Sequence, residues 1–230
     1  MSQFSVIILT AAPIGQAAEA GGAFVKIDGR EALLRSIELF LNRDPVKQIQ
    51  VVFVDEIAEE AKQKHGAHLS FSGVKTVVAG PGWMDQLAGA AGHIAPDATH
   101  VIIHDAARPA VPYTDIEAIL AAAEQHDAVA LATPLASLIV AIDPHGNPTA
   151  YHRSDEFMAL LTPQVFSRAK FNQMVAGKQQ IPPADLKLIK GSPLNRRLSG
   201  PGDAKLVKAM LNMLPVPRKG PLGAFEEAQW

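Results

Sequence analysis

Short apolar runs that alternate with helix-like segments constrain the fold of this chain more than any other feature. Five mainly apolar runs lie at positions 5–10, 48–54, 74–79, 101–103 and 128–134, and the first of them is a continuous apolar strand. Continuous apolar runs of this length are typical of strands buried on both faces, as in parallel sheets covered by helices. We therefore predict an α/β fold with a single doubly wound, mostly parallel sheet.

Helices are predicted between these runs, mainly from apolar residues at three- and four-residue spacing. They cover residues 31–42, 57–65, 84–94, 113–126 and 204–214. A further helix is predicted over residues 162–175, because a proline near the first turn suits a helix start. For residues 181–190 the pattern leaves a short helix and a strand open.

The pattern changes after Pro134, where two β-capable stretches flank a turn. The stretches are residues 138–142 and 148–152, around the turn at 143–147. This arrangement predicts a β-hairpin that leaves the sheet as a protruding β-arm over about residues 136–153. Because no linker separates two parts of the chain, we predict one domain over residues 1–214 and a C-terminal tail over residues 215–230.

Charge and composition exclude several classes of function. The net charge is −2 and there is no basic run, so neither a nucleic-acid groove nor binding to an anionic membrane surface is indicated. The absence of cysteine excludes disulfide scaffolds, thiolate zinc sites and cysteine nucleophiles. No apolar stretch approaches the roughly 18 residues that a membrane span needs, and the amino terminus does not resemble a signal peptide. We expect a soluble cytoplasmic protein.

The run at residues 104–109, HDAARP, directly follows one of the apolar runs. Asp105 would then lie at the carboxyl end of a buried strand, the edge at which open α/β sheets bind ligands. A carboxylate there can hold Mg²⁺ together with substrate phosphates, while Arg108 can bind a phosphate or fix the loop. The alternative at this point is a helix-capping Asp beside a surface Arg.

Four motifs resemble, in the same order, those of the 2-C-methyl-D-erythritol 4-phosphate cytidylyltransferase family. They are the first strand with Ala11 and Ala12, the HDAARP run, residues 162–166 (TPQVF) and residues 191–199 (GSPLNRRLS). The resemblance implies a Rossmann-like nucleotidyltransferase fold and transfer of a cytidylyl group from CTP to a phosphorylated polyol in isoprenoid synthesis. It further implies Mg²⁺ as the cofactor, pyrophosphate as the second product, and a homodimer formed through the arm.

The resemblance also implies roles for individual residues. Asp105 corresponds to the metal-binding Asp, and Arg108 to the Arg of the same motif. Arg153 in the arm and Arg197 correspond to cations that contact the acceptor phosphate, with Arg197 replacing a Lys by a planar, forked donor. The nucleotide-binding positions that it implies are Ala11, Ala12, Gly15, Gly80 and Gln86.

The loop after the first strand departs from the family pattern. Pro13 and Ala17 replace a glycine and an arginine, and Gly22 stands at the position of the catalytic lysine. In the family, the loop amides and these two cations neutralise charge at the α-phosphate. Lys26 is the nearest candidate replacement. Two hypotheses follow: a diverged cytidylyltransferase, and a non-catalytic protein that binds a nucleotide or a sugar phosphate.

A second nucleotide-binding segment also departs, with Trp83 and Gln86 where the family has Arg and Ser. A dinucleotide-dependent oxidoreductase would need G-x-G-x-x-G after the first strand, and this chain lacks that pattern. His65 and His68 have the spacing of a metal-binding pair, but without a third ligand nearby they indicate a solvated helix end.

Overall fold

The structure is a computed structural model that describes residues 2–11 and 22–214. Its strands are β1 Phe4–Leu9, β2 Lys26–Ile27, β3 Arg30–Glu31, β4 Val46–Val54, β5 Val74–Ala79, β6 His100–Asp105, β7 Ala128–Pro134, β8 Ile139–Ile142, β9 Pro148–His152, β10 Met158–Ser167 and β11 Lys187–Lys190. Its α-helices are α1 Ala32–Glu38, α2 Ala58–Phe71, α3 Trp83–Ala91, α4 Tyr113–Ala123, α5 Arg168–Gly177 and α6 Ala204–Met213.

Seven strands form the main sheet, in the order β11-β7-β10-β6-β1-β4-β5. Strand β10 runs antiparallel to both of its neighbours, β6 and β7. The remaining neighbours pair in parallel. This topology confirms the predicted α/β class and the mostly parallel sheet.

Helices cover both faces of the sheet, which is why its central strands are continuously apolar. Every residue of β1 is buried, and successive side chains point to opposite faces. Val6 and Ile8 pack in the cluster that includes residues of α1, α2 and α4. Ile7 and Leu9 pack in the cluster that includes residues of α3 and α5. The sheet is therefore doubly wound, as predicted.

The helix predicted over residues 162–175 is wrong in its first part. Residues up to Ser167 belong to β10, and α5 begins at Arg168, where the Ser167 hydroxyl accepts a hydrogen bond from Lys170 N–H at 3.3 Å. Strand pairing prevails over the helix-start signal of Pro163, because Val165 and Phe166 are buried between β6 and β7. The ladder to β7 is irregular between Leu160 and Gln164, which accommodates a residue without an N–H.

Other differences from the prediction concern short elements and helix ends. The ambiguous segment at 181–190 contains a single 3-10 turn followed by β11, which lies at a sheet edge. Strands β2 and β3 pair as an antiparallel hairpin, and each has only two residues, which is too short to give a periodic sequence pattern. Helix α1 is shorter than predicted, whereas α2 extends to Phe71.

Strands β8 and β9 pair in an antiparallel hairpin, which confirms the predicted β-arm. Asp143 organises its turn, because its carboxylate accepts hydrogen bonds from the N–H groups of His145 and Asn147 at 2.8 and 2.9 Å. The tail at 215–230 lies outside the described residues. In the described part of the chain, no helix is long and apolar enough to cross a membrane.

Candidate functional site

The candidate site lies at the carboxyl ends of β1 and β6, which are neighbours in the sheet. Leu9, the last residue of β1, is in register with Asp105, the last residue of β6. After β1 the sheet continues to one side through β4, whereas β6 lies on the other side. Such a change of direction leaves a crevice outside the carboxyl ends, where α/β proteins bind ligands.

Asp105 is the centre of a buried charge cluster and is only 1% exposed. Its Oδ1 accepts a hydrogen bond from Ala107 N–H at 2.9 Å, and its Oδ2 accepts one from Arg197 Nε at 2.8 Å. Arg108 Nε lies 3.8 Å from the same Oδ2. Burial raises the pKa of Asp105, and the guanidinium groups and the amide of Ala107 oppose this shift by stabilising the carboxylate.

Arg108 fixes one loop to another. Its Nη1 donates a hydrogen bond to the Asn195 carbonyl at 2.8 Å. Asn195 Nδ2 in turn donates to the Thr162 carbonyl at 2.7 Å, and Leu198 N–H donates to the Ala107 carbonyl at 2.8 Å. These bonds hold the segment 191–199 against the end of β6 and against Thr162 in the middle of β10. Of the two predicted roles for Arg108, the geometry favours loop fixation.

His104 supports this arrangement from within the core. Its Nε2 lies 3.2 Å from the Arg108 carbonyl, so it donates the proton there, and its Nδ1 lies 3.2 Å from the Thr162 hydroxyl. That hydroxyl therefore donates to the unprotonated Nδ1, and it accepts a hydrogen bond from Asp105 N–H at 3.0 Å. Burial, aided by the charge of Arg108, lowers the pKa of His104 to about 3. The imidazole is therefore neutral near pH 7 and orients the strand ends.

Gly22, which the resemblance places at the position of a catalytic lysine, leaves no room for a side chain. A Cβ atom there would lie 2.2 Å from the Leu198 carbonyl oxygen and 3.1 Å from Ala107 Cβ. Leu198 is fully buried in a small cluster with Val25 and Val207. The segment that carries Arg197 therefore fills the space a lysine side chain would need.

Gln86 binds the end of β1. Its Oε1 accepts hydrogen bonds from the N–H groups of Thr10 and Ala11 at 3.0 and 3.1 Å, and its Nε2 donates to Thr10 Oγ1 at 3.3 Å.

Gly80, another predicted nucleotide-binding residue, directly follows β5. A Cβ atom at Gly80 would lie 3.3 Å from Asp85 Cβ. Trp83 is buried in the core beneath the sheet.

The structure does not bring two of the predicted cations to Asp105. Lys26 is exposed in the β2–β3 hairpin, in register with Glu31. Arg153 follows the arm, and its Nε donates a hydrogen bond to Asp155 Oδ1 at 3.0 Å. The predicted nucleotide-binding residues Ala12 and Gly15 lie outside the described residues.

Asn195 and Thr162 also belong to the site, although neither residue was predicted to do so. Both lie in recognised motifs, TPQVF and NRRLS, but only their contacts with Arg108 and Asp105 reveal their roles. His65 is buried rather than solvated, because Glu31 and Phe24 cover it. That part of the prediction was wrong.

A protein-held magnesium ion at Asp105 does not fit these contacts. Mg²⁺ takes about six oxygen ligands in an octahedral arrangement. Both Asp105 oxygens already accept hydrogen bonds, and two guanidinium groups approach the carboxylate within 4 Å. Across residues 2–11 and 22–214, no group of three or more His, Cys, Asp or Glu side chains could hold a metal ion.

Comparison with known proteins decides the family. The family model "IspD: 2-C-methyl-D-erythritol 4-phosphate cytidylyltransferase" matches residues 5–208, which is most of the chain. The chain belongs to this family. Among its relatives is the 2-C-methyl-D-erythritol 4-phosphate cytidylyltransferase of Rhodopirellula baltica, which is 27% identical over 230 residues, covering 90% of this chain and 94% of the relative.

Solved structures of the IspD family share the fold. The 4-diphosphocytidyl-2C-methyl-D-erythritol synthase of Anaerococcus prevotii superposes with a TM-score of 0.71 at 16% identity, covering 92% of this chain and 96% of the other. The 2-C-methyl-D-erythritol 4-phosphate cytidylyltransferase of Thermus thermophilus gives 0.69 at 18% identity, covering 90% and 98%. At these identities the likeness establishes the IspD nucleotidyltransferase fold for this chain.

Proposed function

We propose that this chain is a CTP-dependent cytidylyltransferase that transfers CMP to a phosphorylated polyol resembling 2-C-methyl-D-erythritol 4-phosphate, in isoprenoid synthesis. The family match over residues 5–208 carries this proposal. The pairing of Asp105 with Arg197 at the carboxyl edge of the sheet supports it, since these two motif residues lie 92 positions apart in the chain.

In the proposed reaction, an oxygen of the acceptor phosphate attacks the α-phosphorus of CTP. The new P–O bond forms as the bond to the β-phosphate breaks, and pyrophosphate leaves with the electron pair. Such transfers depend mainly on positioning and on neutralising developing charge. Arg197 has donors beyond its Nε, and we assign the Nη groups to the acceptor phosphate, with Asp105 holding the guanidinium in place.

On the donor side, Lys26 remains a candidate cation and Ala11 and Gly80 remain candidate contacts. Gln86 would act there by fixing the end of β1. The predicted magnesium is retained only as an ion that enters with the triphosphate, because the contacts of Asp105 do not fit a resident ion.

The direct test is to incubate the protein with each of the four nucleoside triphosphates, Mg²⁺ and a panel of sugar and polyol phosphates. We expect pyrophosphate release, and a CDP-polyol detected by mass spectrometry, with CTP and 2-C-methyl-D-erythritol 4-phosphate. Release with a different pair would change the substrate assignment. A folded protein that releases pyrophosphate with no pair would reject the transferase proposal.

A second candidate function is a non-catalytic protein that binds a nucleotide or a sugar phosphate on the same scaffold. The steric closure at Gly22 favours it, because the position of the catalytic lysine cannot carry a side chain without movement of Leu198. Removing one preorganised cation or donor commonly costs about 100- to 1,000-fold in rate. Calorimetry that detects CTP or polyol phosphate binding without turnover would favour this candidate.

We also propose a homodimer formed through the β-arm. Large apolar side chains on the arm are exposed, including Leu138, Ile142 and Tyr151, the last of which is 77% exposed. Exposed apolar clusters of this kind typically mark interaction surfaces. A dimer would also allow Arg153 to meet the acceptor phosphate bound to a second copy.

Light scattering tests the dimer. The wild-type protein is expected to give twice the chain mass, and Tyr151→Asp is expected to give a monomer. A monomeric wild-type protein at high concentration would contradict the proposal.

A further inference from the structure

We infer that the Arg197 guanidinium is the resident cation of Asp105 and occupies the place where a divalent metal ion would otherwise bind this carboxylate. The inference deepens the proposed function and rests on it for its relevance to catalysis. The binding behaviour that it predicts belongs to the free protein and does not require turnover.

The contacts of the carboxylate carry the inference. Arg197 Nε donates to Oδ2 at 2.8 Å, and Ala107 N–H donates to Oδ1 at 2.9 Å. The carboxylate is almost fully buried, and the Arg197 side chain is only 11% exposed. Mg²⁺ would need to lie about 2.0–2.1 Å from a carboxylate oxygen with several further oxygen ligands around it. A Mg²⁺ ion could reach that position only if the Arg197 guanidinium moved away from Asp105.

The charges around Asp105 also disfavour a divalent cation at this carboxylate. Asp105 contributes one negative charge, whereas Arg197 and Arg108 contribute two positive charges within 4 Å of it. These three groups together carry a net charge of +1, which repels a divalent cation at short range. Because a guanidinium stays protonated in proteins, this positive charge persists at any physiological pH.

The backbone on both sides of Arg197 is anchored, so its side chain is placed by the fold. Leu198 is buried and its N–H donates to the Ala107 carbonyl at 2.8 Å. Asn195 is buried and donates to the Thr162 carbonyl at 2.7 Å. The guanidinium therefore bridges segments 105–107 and 195–198.

Arginine suits this position better than lysine. A guanidinium presents five N–H donors in one plane, so it can donate from Nε to Asp105 and still offer its Nη edge to a phosphate. A lysine ammonium is a single point charge and would have to divide its donors between the two partners. The replacement of the family's lysine by Arg197 therefore combines a fixed countercharge with phosphate binding.

Manganese broadening of amide NMR signals tests the inference on the wild-type protein. Mn²⁺ serves as the paramagnetic probe for a Mg²⁺ site, and the amides of Ala106 and Ala107 are the reporters next to Asp105. Ala123, at the end of α4, is the reference. We expect the two reporters to broaden no more than the reference. Selective broadening of the reporters at substoichiometric Mn²⁺ would overturn the inference.

Variants provide the reverse test. Arg197→Met is expected to create selective broadening of Ala106 and Ala107, at Mn²⁺ concentrations at least about tenfold lower than those that broaden Ala123, because the competing charge is gone. Arg196→Met is the matched control, since Arg196 is the adjacent, exposed arginine, and should behave as the wild type. If Arg197→Met does not fold, Arg197→Gln, which keeps an N–H donor without charge, replaces it.

A folded neutral variant without new broadening would refute the inference, whatever the activity of the enzyme. Conversely, the absence of pyrophosphate release would reject the proposed function and leave the cation assignment intact. The two failures are therefore distinguishable.

Discussion

Replacing Gly22 by alanine tests the close approach of the Leu198 carbonyl to Gly22. The added Cβ would lie 2.2 Å from the Leu198 carbonyl oxygen, about 1 Å short of the roughly 3.3 Å of a close C···O contact. Both groups belong to the backbone, so two chain segments must move apart. We expect a loss of about 1–3 kcal/mol from overpacking and about 1 kcal/mol more from weakening the Leu198–Ala107 hydrogen bond.

The assay is urea denaturation followed by circular dichroism. With a slope of about 2–3 kcal/mol per molar urea, Gly22→Ala should lower the midpoint by about 1 M. Gly92→Ala is the matched control, because a Cβ at Gly92 meets nothing within 4 Å and its φ of −68° suits alanine. A Gly22→Ala midpoint equal to that of the control would refute the steric closure, and with it the argument that Leu198 excludes a lysine side chain.

Three further predictions concern the charge cluster and its supports. Arg197→Met should lower kcat/KM for pyrophosphate release by about 100- to 1,000-fold, while Arg196→Met stays close to wild type; equal losses in steady-state kinetics would contradict a specific role. Gln86→Ala should cost about 1–3 kcal/mol in urea unfolding, because two amides at the end of β1 lose their acceptor; an unchanged midpoint would show that water replaces the carboxamide. Burial lowers the pKa of His104 from 6.5 to about 3, so on acidification the unfolded chain binds a proton at a higher pH than the folded chain does. The free energy of unfolding should therefore fall as the pH falls from about 6.5 towards 3, by up to about 5 kcal/mol. Urea titrations at pH 7, 5.5 and 4 test this, and an equally steep pH dependence in His104→Gln would assign the loss to other groups.

Local pattern was sufficient for much of the fold. Strands β1, β4, β5, β6 and β7 were predicted because each contains a mainly apolar run. A run such as β1, which is buried throughout, has few alternatives to a sheet covered on both faces. The β-arm was predicted because its turn residues follow each other in sequence. The placement of Asp105 at a strand end followed from the same pattern.

Strand β10 shows where local pattern was insufficient. Its Pro163 gives a helix-start signal, yet the strand is inserted antiparallel between β6 and β7. The energy that decides this comes from partners distant in sequence, which no local window contains. For the same reason His65, predicted to be solvated, is buried against Glu31 from another element.

The sequence by itself determined the α/β class, the family and the list of charged residues that could serve the site, because these depend on residue type and short-range order. Only the tertiary structure decided what those residues do for one another. Asp105 meets Arg197 across 92 positions, and the Leu198 carbonyl closes on Gly22. Both contacts arise when the segment 191–199 packs against the end of β6 and the middle of β10. A distance between segments that meet only on folding is not encoded in the spacing of residues along the chain.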